Sequence, residues 1–145
     1  MNRLAIIQKF INTINEYITV EKDNRFCVDI EEEIIYIPNN LNIKEDKIWS
    51  AFLMQEFNIC FNPYVMSILH EIGHIMTYTE DLNTEREIIY FLLQMKYEED
   101  NFEDFNNEYF KIPMEYSATE WAVNFYKNNI EICEKLTDDL KSCEI

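Results

Sequence analysis

The chain has 145 residues, enough for one domain with its own core and too few for two ordinary ones. Apolar residues make up 48%, which excludes a disordered chain, and no apolar run is long enough to cross a bilayer. The formal charge of −16 disfavours binding to nucleic-acid phosphates and would attract a cationic peptide or protein, although net charge speaks first to solubility.

The elements follow in chain order. The segment Met1 to Lys9 is broken by polar residues before a signal-peptide core can form, so a cytoplasmic protein is expected. Leu4, Ile7, Ile11, Ile14 and Ile18 recur at steps of three and four and predict a helix. Phe26, Val28 and Ile30 then alternate with polar residues, and Glu33–Ile37 is rich in β-formers, giving two short strands or one bent one before Pro38. Asn42 with Glu45 resembles a capping box ahead of Ile48, Trp49, Phe52, Leu53 and Phe57. Asn62 followed by Pro63 opens a helix through about Tyr78. Thr84 with Glu87 predicts the cap of another, with Ile88, Phe91, Leu92 and Met95 on its apolar side. Residues 98–108 are acidic and read as a surface connection. Pro113 starts a helix through about Lys127, and a last helix runs from about Ile130 to the end. The expected class is α+β, mostly helical, with a small sheet or hairpin. Cys27, Cys60, Cys133 and Cys143 form no C-x-x-C pair and are expected to be free and mostly buried.

His70-Glu71-Ile72-Gly73-His74 matches H-E-x-x-H on a predicted helix. Residues four apart lie one turn from each other on one face, so the two imidazoles can take adjacent corners of a tetrahedral zinc site. Glu71 is placed to deprotonate a water activated by the metal. These are the only two histidines in the chain, and Gly73 is its only glycine. Glycine inside a helix costs about 1 kcal/mol against alanine, so something is expected to pack closely there. The flanking residues Ile68, Leu69, Ile72, Ile75 and Met76 carry no charge, so the helix is expected to be buried. The competing reading is a chance pentapeptide with hydrogen-bonded or exposed histidines.

A catalytic zinc takes three protein ligands and keeps one position open. With no third histidine, the remaining ligand is a carboxylate or a thiolate. Glu80 follows His74 by six, but that spacing needs a glycine turn where Thr77 stands. Glu115 precedes Ala118 by three, at the end of a stripe of Ala118, Trp121, Ala122 and Phe125; Glu120 falls on the opposite side. The helical wheel favours Glu115, against the simpler reading of a first-turn glutamate stabilised by the helix dipole.

The pairing of His70, Glu71, Gly73 and His74 with Glu115, Ala118, Trp121 and Ala122 resembles the ImmA/IrrE-type metallopeptidases, a gluzincin-like group common on bacterial chromosomes and mobile elements. The resemblance covers roughly residues 26 to 127. It implies a single zincin-like domain over residues 1–145, zinc held by His70, His74 and Glu115, and Glu71 as catalytic base. It also implies hydrolysis of a protein or peptide substrate.

An oxyanion formed in such a reaction needs a donor, for which Tyr78, Tyr109, Tyr116 and Tyr126 are all available. The extended segment Ile34 to Ile37 is either the sheet edge where a substrate strand pairs or an ordinary buried strand. Two other readings stand beside the enzyme: a non-catalytic zinc-binding protein on a zincin scaffold, and an acidic interaction protein that occupies a basic partner.

Overall fold

The computed structural model describes residues 2–97 and 101–143. Seven helices and three strands are seen among them: α1 (Arg3–Asn12), β1 (Thr19–Lys22), β2 (Cys27–Asp29), β3 (Ile34–Ile37), α2 (Ile43–Phe57), α3 (Pro63–Thr77), α4 (Glu80–Lys96), α5 (Phe102–Tyr109), α6 (Pro113–Asn128) and α7 (Ile130–Ser142). The class is α+β and mostly helical, as expected.

The first helix stops at Asn12, although the apolar period continues to Ile18. Thr13 turns its hydroxyl onto the Phe10 carbonyl, and Asn15 accepts from the Tyr17 amide, so local side-chain bonds end the helix. Ile18 is still buried, because the chain doubles back rather than winding on. Gln8 pins the return: its amide donates to the Ile18 carbonyl (2.8 Å) and accepts from the Val20 amide (2.9 Å).

The sheet order is β1-β3-β2, with β1 parallel and β2 antiparallel to β3. Val20 and Val28 flank Ile35 in the register, and Ile35 and Ile37 enter the core. The extended region is therefore two strands. β3 lies at the centre of the sheet, so Ile34 to Ile37 are not an edge; β1 and β2 are.

Asn42 caps α2 by accepting from the Glu45 amide (2.8 Å), and Asn58 closes it in the left-handed region (φ 55°), which asparagine tolerates better than most residues. Asn62 caps α3 by accepting from the Val65 amide (3.0 Å), with Pro63 in the first turn. Every residue of α3 from Val65 to His74 is buried. That helix is the centre of the molecule and packs chiefly on α6. Ala118 and Ala122 are fully buried at the contact, and Gly73 faces Ala118. A Cβ on Gly73 would run into the Ala118 carbonyl oxygen and come within 3.0 Å of the Ala118 Cα. The glycine therefore sets the distance between the two helices. Gly73→Ala gains about 1 kcal/mol of helix propensity. It forces backbone apart, at the upper end of the roughly 1–3 kcal/mol that overpacking costs. The expected net effect is a fall in melting temperature on the order of 5–10 °C in a thermal scan; an unchanged or higher value would refute the close-packing role.

Four expectations are corrected. α4 is capped not at Thr84 but at Thr79, whose hydroxyl accepts from the Leu82 amide (3.1 Å), with Glu80 and Asp81 in the first turn. An earlier threonine supplies the same cap, so Thr84 and Glu87 simply lie within the helix. Ile88, Phe91, Leu92 and Met95 are exposed, because the inward positions of α4 go to Asn83, Arg86, Tyr90 and Leu93. The acidic stretch contains α5, its Glu103 and Asp104 in the first turn; residues 98–100 of that stretch lie outside the described residues. Of the cysteines only Cys133 is buried; Cys27, Cys60 and Cys133 are free, and Cys60 and Cys143 are exposed. Among the described residues no helix is long and apolar enough to cross a membrane.

Candidate metal centre

Two helices build the site. α3 carries His70 and His74 one turn apart, and α6 presents Glu115 from its first turn directly opposite. The ring nitrogens and the carboxylate lie within 4.8 Å of one another, and all three residues are buried. Oε1 of Glu115 stands 3.2 Å from His70 Nε2 and 3.0 Å from His74 Nε2. Of the sequence candidates for the third position, Glu80 and Glu120 are both exposed and outside this group. Glu71 lies beside it, buried on the same helix.

The protonation of His70 follows from its other nitrogen. Thr119 Oγ1 donates its one proton to the Glu115 carbonyl oxygen (3.1 Å), so towards His70 Nδ1 (2.9 Å) it offers a lone pair. His70 therefore carries a proton on Nδ1. In the neutral ring Nε2 is then a bare lone pair, 3.2 Å from a carboxylate oxygen that is also an acceptor. Two acceptors at that distance need a shared cation, either a second proton on the ring or a metal ion. Donor atoms bound at about 2.0–2.1 Å around a tetrahedral ion lie about 3.3 Å apart, close to the spacings seen here. Two imidazoles and one carboxylate, with one ring fixed by a hydrogen bond from its far nitrogen, suit a divalent metal. His74 Nδ1 is buried and has no hydrogen-bond partner, so the second ring lacks the equivalent support.

The second oxygen of Glu115 is also engaged. Arg86 Nε on α4 donates to Oε2 at 2.7 Å, and the same guanidinium donates to Tyr109 Oη at 2.8 Å. Burial alone would raise the Glu115 pKa, but the facing His70 and His74 outweigh it and hold the carboxylate well below its ordinary value. Burial likewise raises the Glu71 pKa, and there it prevails, opposed by the nearby histidines and Arg86. In His74, burial is outweighed by the Glu115 carboxylate, and the pKa is raised. Burial and the Glu115 charge push the Tyr109 phenol up, so it stays protonated. Because its oxygen accepts from Arg86, its own proton remains free to be donated.

Two cavities of about 490 and about 300 Å³ open on the triad. Both are lined by Arg25, Phe26, Glu71, Tyr109 and Glu115. The larger reaches His74, Arg86 and the edge strand β2 at Cys27 and Val28; the smaller reaches His70 and Trp49, whose ring meets the imidazole edge-on at 5.6 Å. A third cavity, about 590 Å³ between α1 and α7, is larger still. Its charged lining is Lys9 with Lys135 and Asp139, which gathers no comparable chemistry.

Of the four tyrosines, only Tyr109 lines these cavities. Tyr126 is stacked on Phe61 in the core, Tyr116 bonds Glu56, and Tyr78 ends α3 at the surface. Sequence reasoning missed Thr119 and Arg86. Thr119 carried a faint signal, lying one turn after Glu115 on the same face. Arg86, between Glu85 and Glu87, carried none. No protein family, curated protein or solved structure matches the chain, so what identifies the centre is its own geometry: a buried His70–His74–Glu115 group able to hold a metal ion, resembling the H-E-x-x-H…E site of zincins.

Proposed function

We propose that the chain is a zinc-dependent metallopeptidase of the ImmA/IrrE-like, gluzincin type, working as one zincin-like domain over residues 1–145. His70, His74 and Glu115 hold the zinc, and Glu71 is the general base. The observation that carries this reading is the convergence of two imidazole Nε2 atoms and one carboxylate oxygen, with Glu71 beside them on the wall of an open cavity.

Zinc in such a site supplies Lewis-acid polarisation of a scissile carbonyl and a lowered pKa for the attacking water. The rest falls to the chain. Glu71 takes the proton of that water and hands it on to the leaving amine. Tyr109 donates its hydroxyl proton to the carbonyl oxygen as negative charge gathers there. Arg86 keeps Tyr109 and Glu115 in place from behind. A protein or peptide substrate lies extended along the free edge of β2, pairing with backbone groups there.

The test is metal analysis of the purified protein, followed by chelation, zinc add-back and incubation with a proteome-derived peptide library read by mass spectrometry. One zinc per chain is expected, with cleavage lost on chelation and restored by zinc. A chain without stoichiometric zinc would sink the metal site. Zinc without cleavage of any peptide would leave a binding protein and sink the peptidase.

A further inference from the structure

α4 is weakly held by its own chain. Of its seventeen residues only Leu93 is buried, while Asn83, Arg86 and Tyr90 line the cavity beside the metal centre. Facing away from that cavity, Ile88, Phe91, Leu92 and Met95 are 59, 61, 56 and 72% exposed. Their steps of three, one and three place them on one stripe of the helix. Single exposed apolar side chains are ordinary; a contiguous stripe of four on one helix marks an interaction surface.

We propose that this stripe joins two copies of the chain, α4 packing antiparallel on α4 about a two-fold axis between Phe91 and Leu92. The exposed area points to a second copy. Four large side chains, each more than half exposed, present on the order of 500 Å², so two copies cover on the order of 1,000 Å² before any rim is counted. That reaches the floor for a stable interface. The antiparallel register sets Ile88 level with Met95 and Phe91 level with Leu92. The helix dipoles oppose in the antiparallel arrangement.

Each copy carries a charge of −16, which resists association and is screened by salt. The dimer therefore tightens as salt rises, whereas a basic partner docked on the same acidic helix would be released. The inference does not depend on what the triad binds.

Sedimentation equilibrium on the full chain tests it, across micromolar concentrations at low and high salt. The expected mass climbs to twice the 17.6 kDa of one chain, more readily in high salt. Phe91→Glu is expected to leave a monomer with unchanged circular dichroism, since the side chain touches no core. A monomer at every concentration and salt would overturn the proposal. So would a dimer unmoved by Phe91→Glu, or one that salt dissociates.

Discussion

Glu115→Ala is expected to strip the chain of its metal. The carboxylate is the one anion among the three donors, and Oε1 faces both imidazole Nε2 atoms. Its loss is expected to weaken zinc binding well beyond the roughly 10- to 100-fold that removing a hydrogen-bond partner of a ligand costs. Without its carboxylate, Arg86 is left with a partly buried charge, one hydrogen bond to Tyr109 and the ring faces of Tyr90 and Tyr109. Breaking a buried pair from one side costs about 3–5 kcal/mol; the lower end is expected here, because Arg86 retains some contact with water. The measurement is metal stoichiometry and affinity by competition with a chromogenic chelator, alongside thermal unfolding of the metal-free protein. Glu80→Gln and Glu120→Gln serve as controls, since both side chains are exposed. If either control lost the metal while Glu115→Ala kept it, the assignment of the third ligand would be wrong.

Glu71→Gln is expected to separate chemistry from binding. The amide keeps the shape of the side chain and touches none of the three donors, so zinc content stays at the wild-type level. Hydrolysis is expected to fall about 10²- to 10⁴-fold, the usual contribution of a positioned general base. Stability is expected to move the other way. Burial raises the pKa of Glu71 in the folded protein above its ordinary value of 4.5. Below pH 4.5 the group is protonated in both the folded and unfolded states and costs nothing. As pH rises from there through the folded pKa, the unfolded state loses its proton first, and folding loses stability. At neutral pH the metal-free Glu71→Gln protein is therefore expected to melt at or above the wild-type temperature. Activity lost together with zinc would refute the assigned role, as would activity retained with zinc in place.

The two helices that make the site were visible in the sequence, because their signals are local. Asn62-Pro63 is a cap followed by a first turn, and the i, i+4 histidines need only helical geometry to share a face. The lone glycine marked the closest helix contact because a helix interior otherwise excludes it. Glu115 could be preferred over Glu120 by the same reasoning, since a helical wheel is a property of one segment. Even so, the wheel could not show that Glu115 meets the histidines, because that contact joins residues more than forty positions apart.

The limits of local reasoning are clearest at β1 and α4. Thr19-Val20-Glu21-Lys22 pairs along β3 with little burial, so no alternation announces a strand. Along α4 the helical period marked an apolar face correctly, but period does not say which face meets the core. The inward positions went instead to Arg86 and Tyr90, because the carboxylate of Glu115 and the phenol of Tyr109 need a fixed donor between them. By itself the sequence determined six of the seven helices, the caps of α2 and α3, the paired imidazoles and the close approach at Gly73, all set by backbone geometry over a few residues. Only the tertiary structure decided that Thr119 orients His70, that Arg86 holds Glu115, that Tyr109 is the tyrosine at the cavity and that β2 is its open strand. Each of these rests on hydrogen bonds or packing between distant segments, whose partners no local pattern names.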